Sequence, residues 1–218
     1  MKIELNIFTN AIPSAPSTHM IEQTYNSFIE RFGKIDNVRV WYHPAPNTES
    51  ADQYRENLKK LFGDIVTDTR SLSDGYIQSI KTSSSDFMFM LEHDWIFLDN
   101  IVHSLEEITS TMKEHDIWHL RFNKRQNEAV GCDKWIQEKN FTVPVCFTPC
   151  VSNNPHIINK NQYIKTALPM IKISKTSQGI EGNISNKGLV AAIYGKENYP
   201  KTIKHLDGRE RKKNKNAK

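Results

Sequence analysis

Hydrophobic and polar positions follow two regimes along this chain. Up to about residue 95, short apolar runs alternate with amphipathic stretches at regular intervals; after that the rhythm loosens. Residues 2–9 (Lys-Ile-Glu-Leu-Asn-Ile-Phe-Thr) alternate and predict a first strand. A loop with Pro13, Ser14, Pro16 and Ser17 leads into a predicted helix from about Thr18 to Phe32, closed by Gly33. Val38 to Tyr42 predicts a second strand, stopped by Pro44 and Pro46. Residues 50–62 predict a helix ended by Gly63, Ile65-Val66 a short strand, and Ser71 to Ser83 a helix capped by Ser71 or Ser73. The five consecutive apolar residues Phe87 to Leu91 have the length and character of a strand buried on both faces of a sheet. Such alternation of strand and helix predicts an α/β fold with a mostly parallel central sheet flanked by helices.

The second half is less regular. It predicts a helix over Asn100–Lys113, a strand over Ile117–Phe122, hairpins and loops across 123–150, and helices over 161–168 and roughly Gly182–Tyr194. With no internal repeat and no shift of composition, residues 1–208 are expected to form a single domain.

At 218 residues, 38% hydrophobic and 25% charged, the chain has the composition of an ordinary globule with a proper core. No apolar stretch reaches the roughly 18 residues needed to span a bilayer, and the first residues lack a signal-peptide core. Three cysteines without C-x-x-C spacing point to reduced thiols and a cytoplasmic location. The net charge of +4 sits in the tail: residues 209–218 hold six bases and one acid, leaving the body at about −1. The tail, expected to be disordered, lacks interleaved aromatics for stacking on bases, so no specific nucleic-acid partner is implied.

The chemistry concentrates where the buried strand ends. Glu92-His93-Asp94 places two carboxylates at the carboxyl end of a strand, where open α/β sheets hold ligands. Their oxygens suit a hard divalent cation, and such a cation can grip a diphosphate. The alternative is ordinary loop chemistry, with Asp94 as N-cap of a helix beginning near Trp95.

Four segments together resemble GT-A type nucleotide-sugar glycosyltransferases of the family-two kind, including virus- and phage-encoded members and the N-terminal glycosyltransferase domain of a large algal-virus protein. They are Phe8-Thr9-Asn10, Leu91-Glu92-His93-Asp94-Trp95, Gly179-Ile180-Glu181-Gly182 and Lys204-His205-Leu206-Asp207-Gly208. The resemblance spans roughly residues 2–208 and implies metal-dependent transfer of a sugar from a nucleoside-diphosphate donor, UDP-linked, to a glycan or glycoprotein hydroxyl. For a viral chain the location would be the host cytoplasm. It implies Asp94 and His205 as ligands of Mn²⁺ or Mg²⁺, Glu92 on the ribose or on a metal-bound water, and His93 as structural. Thr9, Asn10 and Ala11, with Tyr42 and His43, become candidates for the base and ribose; Arg70 could meet the diphosphate and Asp74 sugar hydroxyls. Tyr42 could equally be strand packing, and Arg70 and Asp74 could cap the following helix. Glu181 matches the late acid that serves as base in inverting transfer, although Gly182 stands where a second acid is usual; its alternative is a helix N-terminal acid, with Asp133 and Glu128 as fallback bases. Trp118, Arg121, Asn123 and Asn153 could line a sugar or acceptor pocket, with Trp118 equally suited to the core.

The Asn10-to-Pro16 stretch lacks the glycine-rich loop of a sugar-phosphate nucleotidyltransferase. A glycosidase working through Glu92 would have no use for the nucleotide-site features. A non-catalytic nucleotide-sugar or carbohydrate-binding module is the rival from another class.

Overall fold

A computed structural model describes residues 1–10, 15–44, 49–173, 181–184 and 191–206. Ala11, the Gly179-Ile180 pair and the tail lie outside the described residues. The first half runs β1 (Ile3–Asn10), α1 (His19–Phe32), β2 (Val38–His43), α2 (Glu49–Phe62), β3 (Val66–Asp68), α3 (Leu72–Thr82), β4 (Phe87–Glu92) and β5 (Trp95–Phe97). The second continues with α4 (Leu105–Glu114), β6 (His119–Arg121), β7 (Gln137–Lys139), β8 (Val145–Thr148), β9 (His156–Asn159), α5 (Lys160–Thr166), α6 (Glu181–Ile184), β10 (Ala191–Tyr194) and β11 (Ile203–His205).

Nine strands form one sheet in the order β3-β2-β1-β4-β9-β6-β10-β8-β7, and β5 pairs with β11 in a separate ribbon. β3, β2, β1 and β4 are parallel neighbours. β9 runs antiparallel between β4 and β6, and β8 antiparallel between β10 and β7, so these two alone oppose the common direction. The sheet is therefore mostly parallel in strand direction and mixed in its second half.

Both faces are covered, which explains the unbroken apolar runs. Leu5, Ile7, Val40, Tyr42, Phe87, Phe89 and Leu91 point to the face packed by α1, α2 and α4, through Ile21, Phe28, Tyr54, Leu58, Ile108 and Met112. The intervening Phe8, Trp41, Met88 and Met90 point to the other face and meet Tyr76 and Ile80 of α3 and Tyr163 of α5. A side chain on residue 75 would come within 3.3 Å of the Phe8 ring, so Gly75 lets α3 settle on β1. Tyr76 then stacks on Phe8 at 4.3 Å.

The first-half elements match the sequence reading within two or three residues. α4 starts later than predicted, because Ser104 and Glu107 form a reciprocal capping box that fixes its first turn at Leu105. The predicted helix over 182–194 is corrected: Glu181–Ile184 is a helical turn and Ala191–Tyr194 is strand β10, buried along its length, with 185–190 outside the described residues. A short apolar run buried on both faces has no period to separate strand from helix. Among the described residues no helix is long and apolar enough to cross a membrane.

Candidate functional site

The chain leaves the sheet at Glu92 and is pinned at once. The His93 N–H donates to the Phe8 carbonyl at 3.1 Å. Thr24 of α1 donates its hydroxyl to the His93 carbonyl at 2.7 Å and accepts from the Trp95 N–H at 3.1 Å. Asp94 is thus held between two residues tied to the same threonine. It caps no helix, since strand β5 follows.

β11 brings the late histidine to it. His205 is paired with Trp95 in the β5–β11 ribbon, and the Leu206 N–H donates to the Asp94 carbonyl at 2.7 Å. His205 Nε2 lies 3.2 Å from Asp94 Oδ2, and its ring stands edge-on to Trp95 at 4.5 Å. Asp94 is 9% exposed, and its Oδ1 is buried without a hydrogen-bond partner among the described residues. Leaving a charged oxygen so costs at least about 1–3 kcal/mol, which a cation would relieve. Carboxylate and imidazole are donors suited to Mn²⁺, and carboxylate alone to Mg²⁺. The set is incomplete within the described residues: three potential ligands come within 4.8 Å of one another at Cys132, Asp133 and Cys150, not at Asp94.

Beside this pair, the carboxyl ends of β1, β2 and β4 and the start of α3 frame an open cleft with a cavity volume of about 50 Å³, well below the roughly 300–1,000 Å³ of ligand pockets. Thr9, Asn10, His43, Glu92 and His93 line it, with Phe8, Trp41, Thr69 and Leu72. Four sequence-nominated donor residues therefore share one wall. Asn10 is exposed there, and His43 Nδ1 is buried with no partner among the described residues. Thr9 spends its hydroxyl on Tyr54 at 2.8 Å, and His93 Nδ1 lies 3.3 Å from the Phe8 carbonyl, a structural role. Trp41, Thr69 and Leu72 were missed; the alternation that aims Trp41 opposite to Tyr42 was the available signal.

Tyr42 belongs to the core, 1% exposed, and its hydroxyl donates to the Ala51 carbonyl at 2.9 Å, so no base can stack on it. Arg70 and Asp74 bind each other: Nε and the backbone N–H of Arg70 reach Asp74 Oδ2 at 3.1 and 3.0 Å, and Nη2 reaches Oδ1 at 2.9 Å. The Arg70 hydrogen bonds hold the Asp74 carboxyl below its ordinary pKa. Asp74 also donates its N–H to Ser71, which makes the pair part of the α3 N-terminus, with the guanidinium facing solvent.

The nominated acceptor-side residues do not converge. Trp118 packs in the core against Tyr163. Arg121 is buried and bonded to Asp133 at 2.5 Å. Asn123 donates its backbone N–H to the Thr202 hydroxyl oxygen at 2.9 Å and accepts the Thr202 N–H on its carbonyl at 2.8 Å, which anchors the chain entering β11 and so the approach of His205. Asn153 is half-buried in the loop before β9. Asp133 is no fallback base: Arg121, Arg125 and Thr148 occupy both its oxygens. Glu128 is exposed. Glu181 opens α6, and its side chain lies outside the described residues.

No protein-family profile matches the chain, and no curated protein does at a significant level. Solved structures match its fold. The crystal structure of GalNAc-T7 with UDP, GalNAc and Mn²⁺ superposes at a TM-score of 0.61 with 10% identity, covering 89% of this chain and 42% of that one. Residues 1–349 of TarS from S. aureus superpose at 0.55 with 12% identity, covering 92% and 59%. The fold is thus of the GT-A glycosyltransferase type. The chain spans about half the length of the structures it matches.

Proposed function

We propose that this protein is a metal-dependent glycosyltransferase that moves a sugar, with inversion, from a UDP-linked donor to a hydroxyl of a glycan or glycoprotein. The observation that carries the reading is the buried Asp94 Oδ1 beside His205, without a hydrogen-bond partner among the described residues and next to a cleft at the strand ends. Asp94 and His205 would hold Mn²⁺ or Mg²⁺, with Glu92 serving the ribose or a metal-bound water. The ion, when bound, supplies positive charge against the departing nucleoside diphosphate. Asn10 and His43 offer polar atoms to the base and ribose, while Trp41 and Leu72 give the cleft an apolar wall. Glu181 is proposed as the base that takes the acceptor proton, coming from a segment separate from the metal pair. UDP and Mn²⁺ bound to GalNAc-T7 on the same fold support the donor class and the ion. The likeness of the Glu92–Trp95 segment to virus-encoded enzymes would place the activity in the cytoplasm, the host's for a viral chain.

The test is a titration of the purified protein with UDP- and GDP-sugars, with and without Mn²⁺, coupled to measurement of nucleotide release. Mn²⁺-dependent UDP-sugar binding with release of UDP is expected. Binding without release, across a panel of glycan acceptors, would leave a carbohydrate- or nucleotide-binding module. No binding would remove the reading.

A further inference from the structure

Cys132 and Cys150 stand apart from the cleft, yet they lie together. Cys132 is exposed in the turn at Gly131–Asp133, and Cys150 is buried just after β8. Their sulfurs lie within 4.8 Å of each other and the thiols are in hydrogen-bonding contact. The two segments are also joined beside the sulfurs. The Cys150 N–H donates to Thr148 Oγ1 at 3.1 Å, and Thr148 Oγ1 donates to Asp133 Oδ1 at 2.9 Å. The third cysteine, Cys146, is buried within β8 and is not part of the cluster.

Asp133 sits in the same cluster, but its oxygens already serve Thr148, Arg121 and Arg125. A cation bound there would have two thiolates at most and would face two guanidinium groups. Oxidation meets no such obstacle, because it needs a short approach of two sulfurs whose backbones are held on either side.

From this geometry we infer that Cys132 and Cys150 are a disulfide-forming pair, a thiol modification site that staples the β7–β8 hairpin to the turn carrying Asp133. The oxidant is a small-molecule disulfide of the glutathione class. The exposed Cys132 thiolate attacks one of its sulfurs and expels one small thiolate, leaving a mixed disulfide on Cys132. Cys150 then gives its proton to solvent and attacks the Cys132 sulfur, expelling the second small thiolate. Two protein thiols are oxidised, and one small disulfide is reduced to two thiols. Burial pushes the Cys150 thiol up to about 12, so closure quickens as pH rises.

The experiment exposes the full-length protein to oxidised glutathione, blocks the remaining thiols, and reads intact mass, linked peptides and melting temperature. The expected product has lost about 2 Da and holds a Cys132–Cys150 peptide link with Cys146 free. Closing a loop of about 19 residues should raise Tm by roughly 5–10 °C, reversed by dithiothreitol and absent in Cys132→Ser. A glutathione adduct that persists on Cys132, a link through Cys146, or untouched thiols would each overturn the inference. So would zinc retained through both cysteines.

Discussion

The two halves of the sheet spend their polar residues differently. At the carboxyl ends of β1, β2 and β4, Asn10, His43 and Glu92 line an open cleft, and two buried atoms there, His43 Nδ1 and Asp94 Oδ1, accept or donate nothing among the described residues. In the half built from β9, β6, β10 and β8, charged and amide side chains hold segments together, although Trp118 Nε1, Arg121 Nε, His156 Nε2 and both ring nitrogens of His119 are buried there without a partner among the described residues. Asp133 joins Arg121, Arg125 and Thr148; Asn127 and Asn123 tie the loop after β6 to the segments before β11. His119 and His156 stack on each other at 4.3 Å inside the core. Unspent polar atoms beside a cleft mark a place prepared for a ligand. Trp118, Arg121 and Asn123 are buried and line no wall of that cleft, which moves these three acceptor-side nominees out of it.

The largest effect would come from the one reacting residue proposed on the second-half side. On the assignment of Glu181 as base, Glu181→Gln should lower transfer by about 10²–10⁴-fold while UDP-sugar and Mn²⁺ binding persist. Loss of donor binding instead would make it a sugar ligand, and parental rates would take it out of the mechanism.

Asp133→Asn tests the scaffold assignment. It leaves Arg121 buried against a neutral partner, so chemical denaturation should show a loss of about 3–5 kcal/mol. A variant as stable as the parent but slow in transfer would return Asp133 to the chemistry.

The buried imidazoles predict a pH dependence. Burial lowers the His156 pKa to about 4 and pushes His119 well below its ordinary value. Both are neutral in the fold and gain protons first in the unfolded chain. Their stabilisation is present above about pH 6.5 and is lost as pH falls from there towards 4, by roughly 3 kcal/mol for His156 alone. His156→Gln should flatten that slope; an unchanged slope would show that other groups set it.

The strands and helices up to β4 were legible because each buries a defined face, and the alternation of Leu5, Ile7 against Asn6, Phe8 survives into the structure. The Asp94–His205 encounter was legible only through resemblance, since nothing local in residues 92–94 announces a partner more than a hundred positions away. Three things were not legible. β10 is a short apolar strand buried on both faces, where period carries no information, and β9 is four residues, His-Ile-Ile-Asn, too short and too mixed to show a pattern. The core position of Tyr42 depends on which face α2 covers. The Asp133 cluster is assembled from three separate loops and strands, and sequence spacing says nothing of that.

The smallest effect is expected from the tail. Removing residues 209–218, which hold no apolar residue but Ala217, should leave melting temperature and turnover unchanged. A clear drop in either would show that it docks on the body.

The account rests most heavily on Asp94 as an ion-holding carboxylate at the strand ends. Isothermal titration of the parent and of Asp94→Ala with UDP-sugar, in Mn²⁺ and in chelator, together with their melting temperatures, addresses it directly. The account predicts Mn²⁺-dependent binding in the parent and its abolition in the variant, with little change in melting temperature. Equal Mn²⁺-dependent binding by both proteins would contradict it.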